Sequence, residues 1–234
     1  MNILCIGNSF SRDAMRYLHQ IAKADGVHIN ACNLFIGGCP LDVHYRNMLS
    51  EKRAYMLDVN GTETAFPVSL QDALLNRNWD YVSIQQASIK SPKIDTYEPY
   101  LSELCAFIKK YSPKAKLIIH ETWAYENGSE KLGYEDHNAM FKDIAATYKQ
   151  AAEQVCADLI VHSGRTLNTL MNHDVQPVYR DGFHASWGVG RYALGLNWYK
   201  TLTGNDVTNN TFSDFDEEIS AETVSKIKEC VMSL

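Results

Sequence analysis

Ser9 lies in the segment Gly7-Asn8-Ser9-Phe10-Ser11, directly after the short apolar run Asn2 to Ile6. A serine on a strand-to-helix turn exposes its Oγ and backbone N–H. The helix N-terminus behind it adds a positive end, which is a setting for a nucleophile. The same segment also reads as a helix cap, with Ser9 or Ser11 bonding the first turn of a helix that begins near Arg12. Neither phosphate-loop pattern, G-x-G-x-x-G or G-x-x-x-x-G-K-[ST], is present.

A second group is Asp181-Gly182-Phe183-His184, just ahead of a helical pattern. Asp and His three residues apart on a turn can meet, so Asp181 could fix the His184 tautomer and stabilise its protonated form. A serine's general base needs that partner. The plain alternative is an Asp that caps the helix start, with His184 on the surface or in the core. A third group is Gly37-Gly38 with Gln85-Gln86. Glycine lets a backbone N–H approach a substrate closely, and a Gln amide offers two protons. With the Ser9 N–H they would form an oxyanion hole. Otherwise they are a tight turn and a strand-end hydrogen bond.

The elements around these residues alternate. Short apolar runs at Asn2 to Ile6, Val27 to Phe35, Tyr81 to Gln85, Lys116 to Trp123 and Ala157 to Val161 read as buried strands. Apolar residues at helical spacing mark Arg12 to Asp25, Pro67 to Asn76 and Tyr97 to Tyr111, and Tyr134 to Cys156, Trp187 to Leu202 and Ala221 to Leu234 also read as helices. Five such strands alternating with helices predict a parallel sheet covered on both faces. Ligands of open parallel sheets bind beyond the carboxyl ends of the strands. Four of the five runs end there in polar or glycine-rich segments, at Gly7-Asn8-Ser9, Gly37-Gly38, Gln85-Gln86 and Glu121-Thr122.

The order of these groups is more telling than any one of them. A Ser after strand one, Gly after strand two, an amide after strand three and D-x-x-H near the end resemble the SGNH/GDSL hydrolase family. ILCIGNSFS resembles its first block and DGFHAS its last, and the resemblance spans about Ile3 to Leu202. It implies a three-layer α/β/α sandwich with a five-stranded parallel sheet of flavodoxin-like order, one domain over 1–234. It implies Ser9 as nucleophile, His184 as general base, Asp181 as its orienter and Gly38 as an oxyanion-hole N–H. Two blocks depart from the pattern. Asn8 replaces the usual Asp of Gly-Asp-Ser, and Ile84-Gln85-Gln86 replaces Gly-x-Asn-Asp. The sequence resembles a divergent bacterial branch with a Leu/Ile-Gln strand end and a later Thr-Trp-Ala. That favours Gln85 over Gln86 as the amide donor.

The activity so implied is a serine esterase acting on short, acetyl-type esters. The aromatics near the site, Trp123, Tyr125 and Trp187, suit a sugar face, with Trp123 the first choice for substrate contact. They equally suit core and rim packing. The alternative function is a non-catalytic glycan- or protein-binding module on the same scaffold. A metal-dependent hydrolase would draw on His120, Glu121, His137, His162 and His173, but no H-E-x-x-H or other tight ligand spacing occurs. No metal and no cofactor are expected.

Composition is ordinary for a globular protein. The 234 residues carry 22 Lys+Arg and 28 Asp+Glu, a net charge of −6, and no basic cluster that would follow a phosphate backbone. Nucleic acid and membrane are therefore not expected partners, since no apolar run approaches the length of a bilayer span. Six scattered cysteines without C-x-x-C read as buried thiols in a reducing compartment, with Cys39 notable beside Gly37-Gly38. The start, Met1 to Ile6, has no basic or hydrophobic leader pattern. The chain reads as cytoplasmic as it stands, and as periplasmic or secreted if a leader was trimmed.

Overall fold

A computed structural model describes residues 1–126 and 128–234. One sheet contains β1 (Asn2–Gly7), β2 (Asn30–Phe35), β3 (Tyr55–Val59), β4 (Thr62–Val68), β5 (Tyr81–Ile84), β6 (Lys116–Glu121) and β7 (Leu159–His162), in the order β4-β3-β2-β1-β5-β6-β7. The helices are α1 (Ser9–Met15), α2 (Leu18–Ala24), α3 (Leu41–Ser50), α4 (Leu70–Leu75), α5 (Tyr100–Tyr111), α6 (His137–Gln154), α7 (Ser163–Asn172), α8 (Val189–Thr203) and α9 (Ala221–Met232).

The predicted five-stranded, wholly parallel sheet is corrected here. β2, β1, β5, β6 and β7 pair in parallel, and β3 and β4 add an antiparallel hairpin beyond β2. The hairpin escapes a periodicity reading because β4 lies at the sheet edge with its residues exposed except Val68. An edge strand without a buried face carries no apolar alternation, and Pro67 is tolerated there because no further strand needs its missing N–H. Part of the helix predicted from Pro67 is strand, and only Leu70–Leu75 is helical. The helix predicted over Arg12 to Asp25 is two helices broken at Arg16 and Tyr17.

Alternate residues of β1 face opposite cores. Ile3 and Cys5 join the cluster packed under α1, α2, α7, α8 and α9, while Leu4 and Ile6 join the one under α3, α4, α5 and α6. Helices therefore cover both faces, which is why the central strands are mostly apolar, with Asn33, Ser83 and His120 as buried polar exceptions. From β1 the chain moves outward to β2, then crosses back to β5 on the other side of β1. At such a reversal the connections diverge and leave a crevice at the carboxyl ends. The segments after β1, β2 and β5 are those that carry Ser9, Gly38 and Gln85.

Candidate active site

Asn8, not Ser9 or Ser11, caps α1. Its Oδ1 accepts from Phe10 N at 3.0 Å, and Ser11 Oγ turns back to Asn8 O at 2.9 Å. Ser9 is the first residue of the helix, and its Oγ is left for another partner. That partner is His184, whose Nε2 lies 2.9 Å from Ser9 Oγ. His184 Nδ1 lies 2.7 Å from Asp181 Oδ2. A carboxylate can only accept, so Nδ1 carries the proton and Nε2 is the acceptor for the Ser9 hydroxyl. Burial pushes the Asp181 carboxyl up, but hydrogen bonds from the His184 N–H, the His184 ring and the Phe183 N–H outweigh it. The group lies below its ordinary value.

The loop that carries this pair is tied at several points. Asp181 Oδ1 accepts from His184 N at 2.8 Å and Phe183 N at 3.3 Å. Arg180 N donates to His184 O at 3.0 Å, Glu126 N to Gly182 O at 2.8 Å, and Tyr179 and Ala185 form a bridge. Trp123 Nε1 donates to Phe183 O at 2.7 Å. Trp123 is a correction. Its ring is fully buried and stacked on Phe10 at 4.0 Å, so it supports the helix and loop of the site and offers no face to a substrate. Trp187 is 42% exposed and lines the cavity beside Ser9.

Gly38 occupies the turn from Ile36 to Cys39 with φ of 60°, a backbone state that glycine enters without strain. Neither its N–H nor that of Ser9 has a partner among the described residues. The two glutamines point to different places. Gln86 is committed: Oε1 accepts from Leu41 N and Ala87 N, and Nε2 donates to Thr96 O and Oγ1. Gln85 lies against Asn8, with Nε2 donating to Asn8 Oδ1 at 3.0 Å, and this leaves its second amide proton unassigned. Asn8 Nδ2 donates to Cys39 O at 3.2 Å, which ties together the segments after β1, β2 and β5. An Asp at position 8 could not make that bond, which accounts for Asn in place of the family's usual Asp.

Cys39 is buried, and burial pushes its thiol up to about 12, so it is no nucleophile. The histidines weighed as metal ligands do not converge. His120 bonds Gln85 and Ser163, His162 bonds Glu121, His137 bonds Asn172, and His173 bonds Thr169 O.

Ser9 and His184 open onto a cavity of about 900 Å³. Sequence reading did not find its charged lining. Arg12 pairs with Asp58, Arg16 with Asp216, and Arg180 and Arg191 both with the buried Asp13. These partners lie far apart in sequence, and only Asp13, one turn after Ser9 on α1, sits near a recognisable motif. The arrangement can pass a proton from a hydroxyl to a polarised imidazole beside unpaired N–H donors and a polar cavity.

Residues 2–230 match the family model DUF4886, described as a domain of unknown function. The chain is similar to a DUF4886 family protein from Bacteroides uniformis, 32% identical over 100% of this chain and 93% of that one, TM-score 0.90. It is also similar to a protein from Slackia heliotrinireducens assigned to the SGNH hydrolases, 25% identical over 86% and 98%, TM-score 0.61. In fold alone it resembles the acetylxylan esterase Axe2 from Geobacillus stearothermophilus, 14% identical over 86% and 91%, TM-score 0.52. No curated protein matches the chain.

Proposed function

Because the chain belongs to the DUF4886 family, a divergent SGNH-like branch, we propose that it is a serine esterase that works through an acyl-enzyme. The observation that carries this reading is the hydrogen-bonded line Ser9 Oγ, His184 Nε2, His184 Nδ1, Asp181 Oδ2.

In the first half-reaction Ser9 Oγ attacks the ester carbonyl carbon as His184 Nε2 takes the hydroxyl proton. The carbonyl oxygen becomes an oxyanion that the N–H groups of Ser9 and Gly38 and the free Gln85 amide proton receive. The carbon–oxygen bond to the leaving group then breaks, and His184 gives its proton to that oxygen. In the second half, water attacks the acyl-enzyme with His184 as base, and Ser9 is regenerated. Asp181 stays ionised and holds the imidazolium.

The acyl group is short, acetyl being the leading case. Eight of the seventeen residues that line the cavity are arginines and carboxylates paired with one another, and a long alkyl chain would desolvate them without replacing their hydrogen bonds. A carbohydrate alcohol portion suits the many donors and acceptors of this lining, with Trp187 at its rim as a partly exposed edge, since the Arg180 and Arg191 guanidiniums lie 3.9 and 4.0 Å from its ring centroid.

A fluorophosphonate tests the nucleophile. It should phosphonylate Ser9 with loss of fluoride, and peptide mass analysis would locate the adduct. Labelling elsewhere, with Ser9 unmodified, would contradict the assignment. Acetyl esters should be turned over faster than decanoyl esters; the reverse order would contradict the short-acyl reading.

A further inference from the structure

The cavity beside Ser9 holds four arginines, and three of them present the Nε/Nη2 edge to a carboxylate. Arg12 holds Asp58 through Nε at 2.9 Å and Nη2 at 3.0 Å. Arg16 holds Asp216 through the same two atoms. Arg191 reaches Asp13 through Nε at 2.9 Å and Nη2 at 2.8 Å. Arg180 differs. Its Nη1 donates to Asp13 Oδ2 at 2.9 Å and to Ala185 O, while Nε and Nη2 have no partner among the described residues. The guanidinium is held in position by those bonds and by the Trp187 ring, 3.9 Å from its central carbon.

An open Nε/Nη2 edge is a planar two-donor fork that fits a carboxylate, as Arg12 and Arg16 demonstrate by bonding both oxygens of Asp58 and Asp216. The nearby acids do not fill it, because Asp13, Asp58, Glu63 and Asp216 are each bonded to a guanidinium. A second, separate feature lies in the same cavity. Asn33 is 1% exposed and donates Nδ2 to Asp58 Oδ2 at 2.9 Å, but its Oδ1 is buried without a partner. A buried acceptor left unpaired is costly until a ligand or water supplies a donor. Asp13, which anchors Arg180, follows Ser9 by one turn of α1, about 6 Å along the axis. Arg180 and Ser9 line the same cavity, so one substrate can meet both.

We propose that Arg180 sets specificity by binding a carboxylate on the alcohol part of the substrate, an acidic sugar ester, while Asn33 Oδ1 accepts one of its hydroxyls. This inference rests on the esterase reading. It extends that reading by naming the charge the leaving group carries and the residue that reads it.

The test compares an O-acetylated methyl glucuronide with the methyl glucoside acetylated at the same position. The two differ by a carboxylate against a hydroxymethyl group. Wild type should favour the glucuronide in kcat/KM by about 10-fold or more, the scale of a charge-assisted pair. In Arg180→Gln the ratio should fall to about one, whatever happens to absolute rates, and Arg180→Lys should lie between. Calorimetry with unacetylated methyl glucuronide gives an arm independent of turnover, with binding expected for wild type and lost in Arg180→Gln. Turnover of both sugars at equal rates by wild type would overturn the inference and leave the esterase reading intact. A preference that survives in Arg180→Gln would also overturn it. Arg180-dependent binding without turnover of any ester would uphold the anion site and sink the esterase reading.

Discussion

His120 Nδ1 lies 2.8 Å from Gln85 Oε1, and the polarity of that contact is fixed by backbone groups two residues away in the chain of hydrogen bonds. Asn8 faces a backbone N–H at Phe10 and a backbone carbonyl at Cys39, so its oxygen and nitrogen cannot exchange places. Asn8 Oδ1 then requires the nitrogen of Gln85, which turns Gln85 Oε1 towards His120. Burial pushes His120 down to about 3, so its ring is neutral. Its one proton must sit on Nδ1, and Nε2 accepts from Ser163 Oγ at 2.9 Å. Ser163 and His120 thus hold the Gln85 amide with its protons turned to the Ser9 side.

His120 should accordingly act as a positioning residue. His120→Phe frees the Gln85 amide to turn and should lower kcat by about 10-fold or more, short of the 10²–10³ lost with an oxyanion donor itself, at little change in KM. His120→Asn can still donate to Gln85 and should recover most of kcat. Equal kcat loss in both variants would contradict positioning, as would a loss confined to thermal stability.

Gly7 admits no larger residue. A Cβ there would collide with the Ser11 side chain and come within 3.1 Å of Gln85 Cδ, so the turn that presents Ser9 must shift. Gly7→Ala should cost about 1–3 kcal/mol of stability and reduce ester turnover more than the stability loss explains. Wild-type turnover in a folded Gly7→Ala protein would refute this.

Asp13 is 1% exposed and shared by Arg180 and Arg191, which link the Ser9 helix to the His184 loop and to α8. Asp13→Ala would leave Arg180 with no carboxylate partner and Arg191 with Asp216 alone. Urea unfolding should record a loss of about 3–5 kcal/mol, and a loss below about 1 kcal/mol would argue that water reaches the pair.

Stability should fall in mild acid. Burial pushes His44 down to about 4 and His120 to about 3, whereas the same rings in the unfolded chain protonate below about 6.5. The unfolded state then binds more protons. The neutral-ring contribution is complete above about 6.5 and is lost progressively as pH drops towards those lower values. His44→Gln removes one such group and should flatten the dependence near pH 5 by about 1 kcal/mol per pH unit. An unchanged slope would place a charge on His44 in the folded chain.

Much of this was readable in the residues, for physical reasons. Strands buried on both faces are largely apolar runs, so β1, β2, β5, β6 and β7 stand out, as do α5, α6 and α9 by their stripes and α8 by being apolar nearly all round. The helix α7 does not, because Ser163, Gly164 and Thr166 are buried polar or small residues at its start. The helix α3 buries His44 among its few apolar positions. Ser9 and Asp181-x-x-His184 are local motifs and were legible. The Arg16–Asp216 pair joins residues 200 positions apart, so no spacing rule could find it. Trp123 was misread because adjacency to a strand end does not tell which face a side chain takes.

The central claim is that Ser9 is a nucleophile activated by His184. Hydrolysis of p-nitrophenyl acetate by wild type and by folded Ser9→Ala tests it most directly. The account predicts turnover by wild type and its loss, by several orders of magnitude, in Ser9→Ala. Undiminished turnover by Ser9→Ala would contradict it.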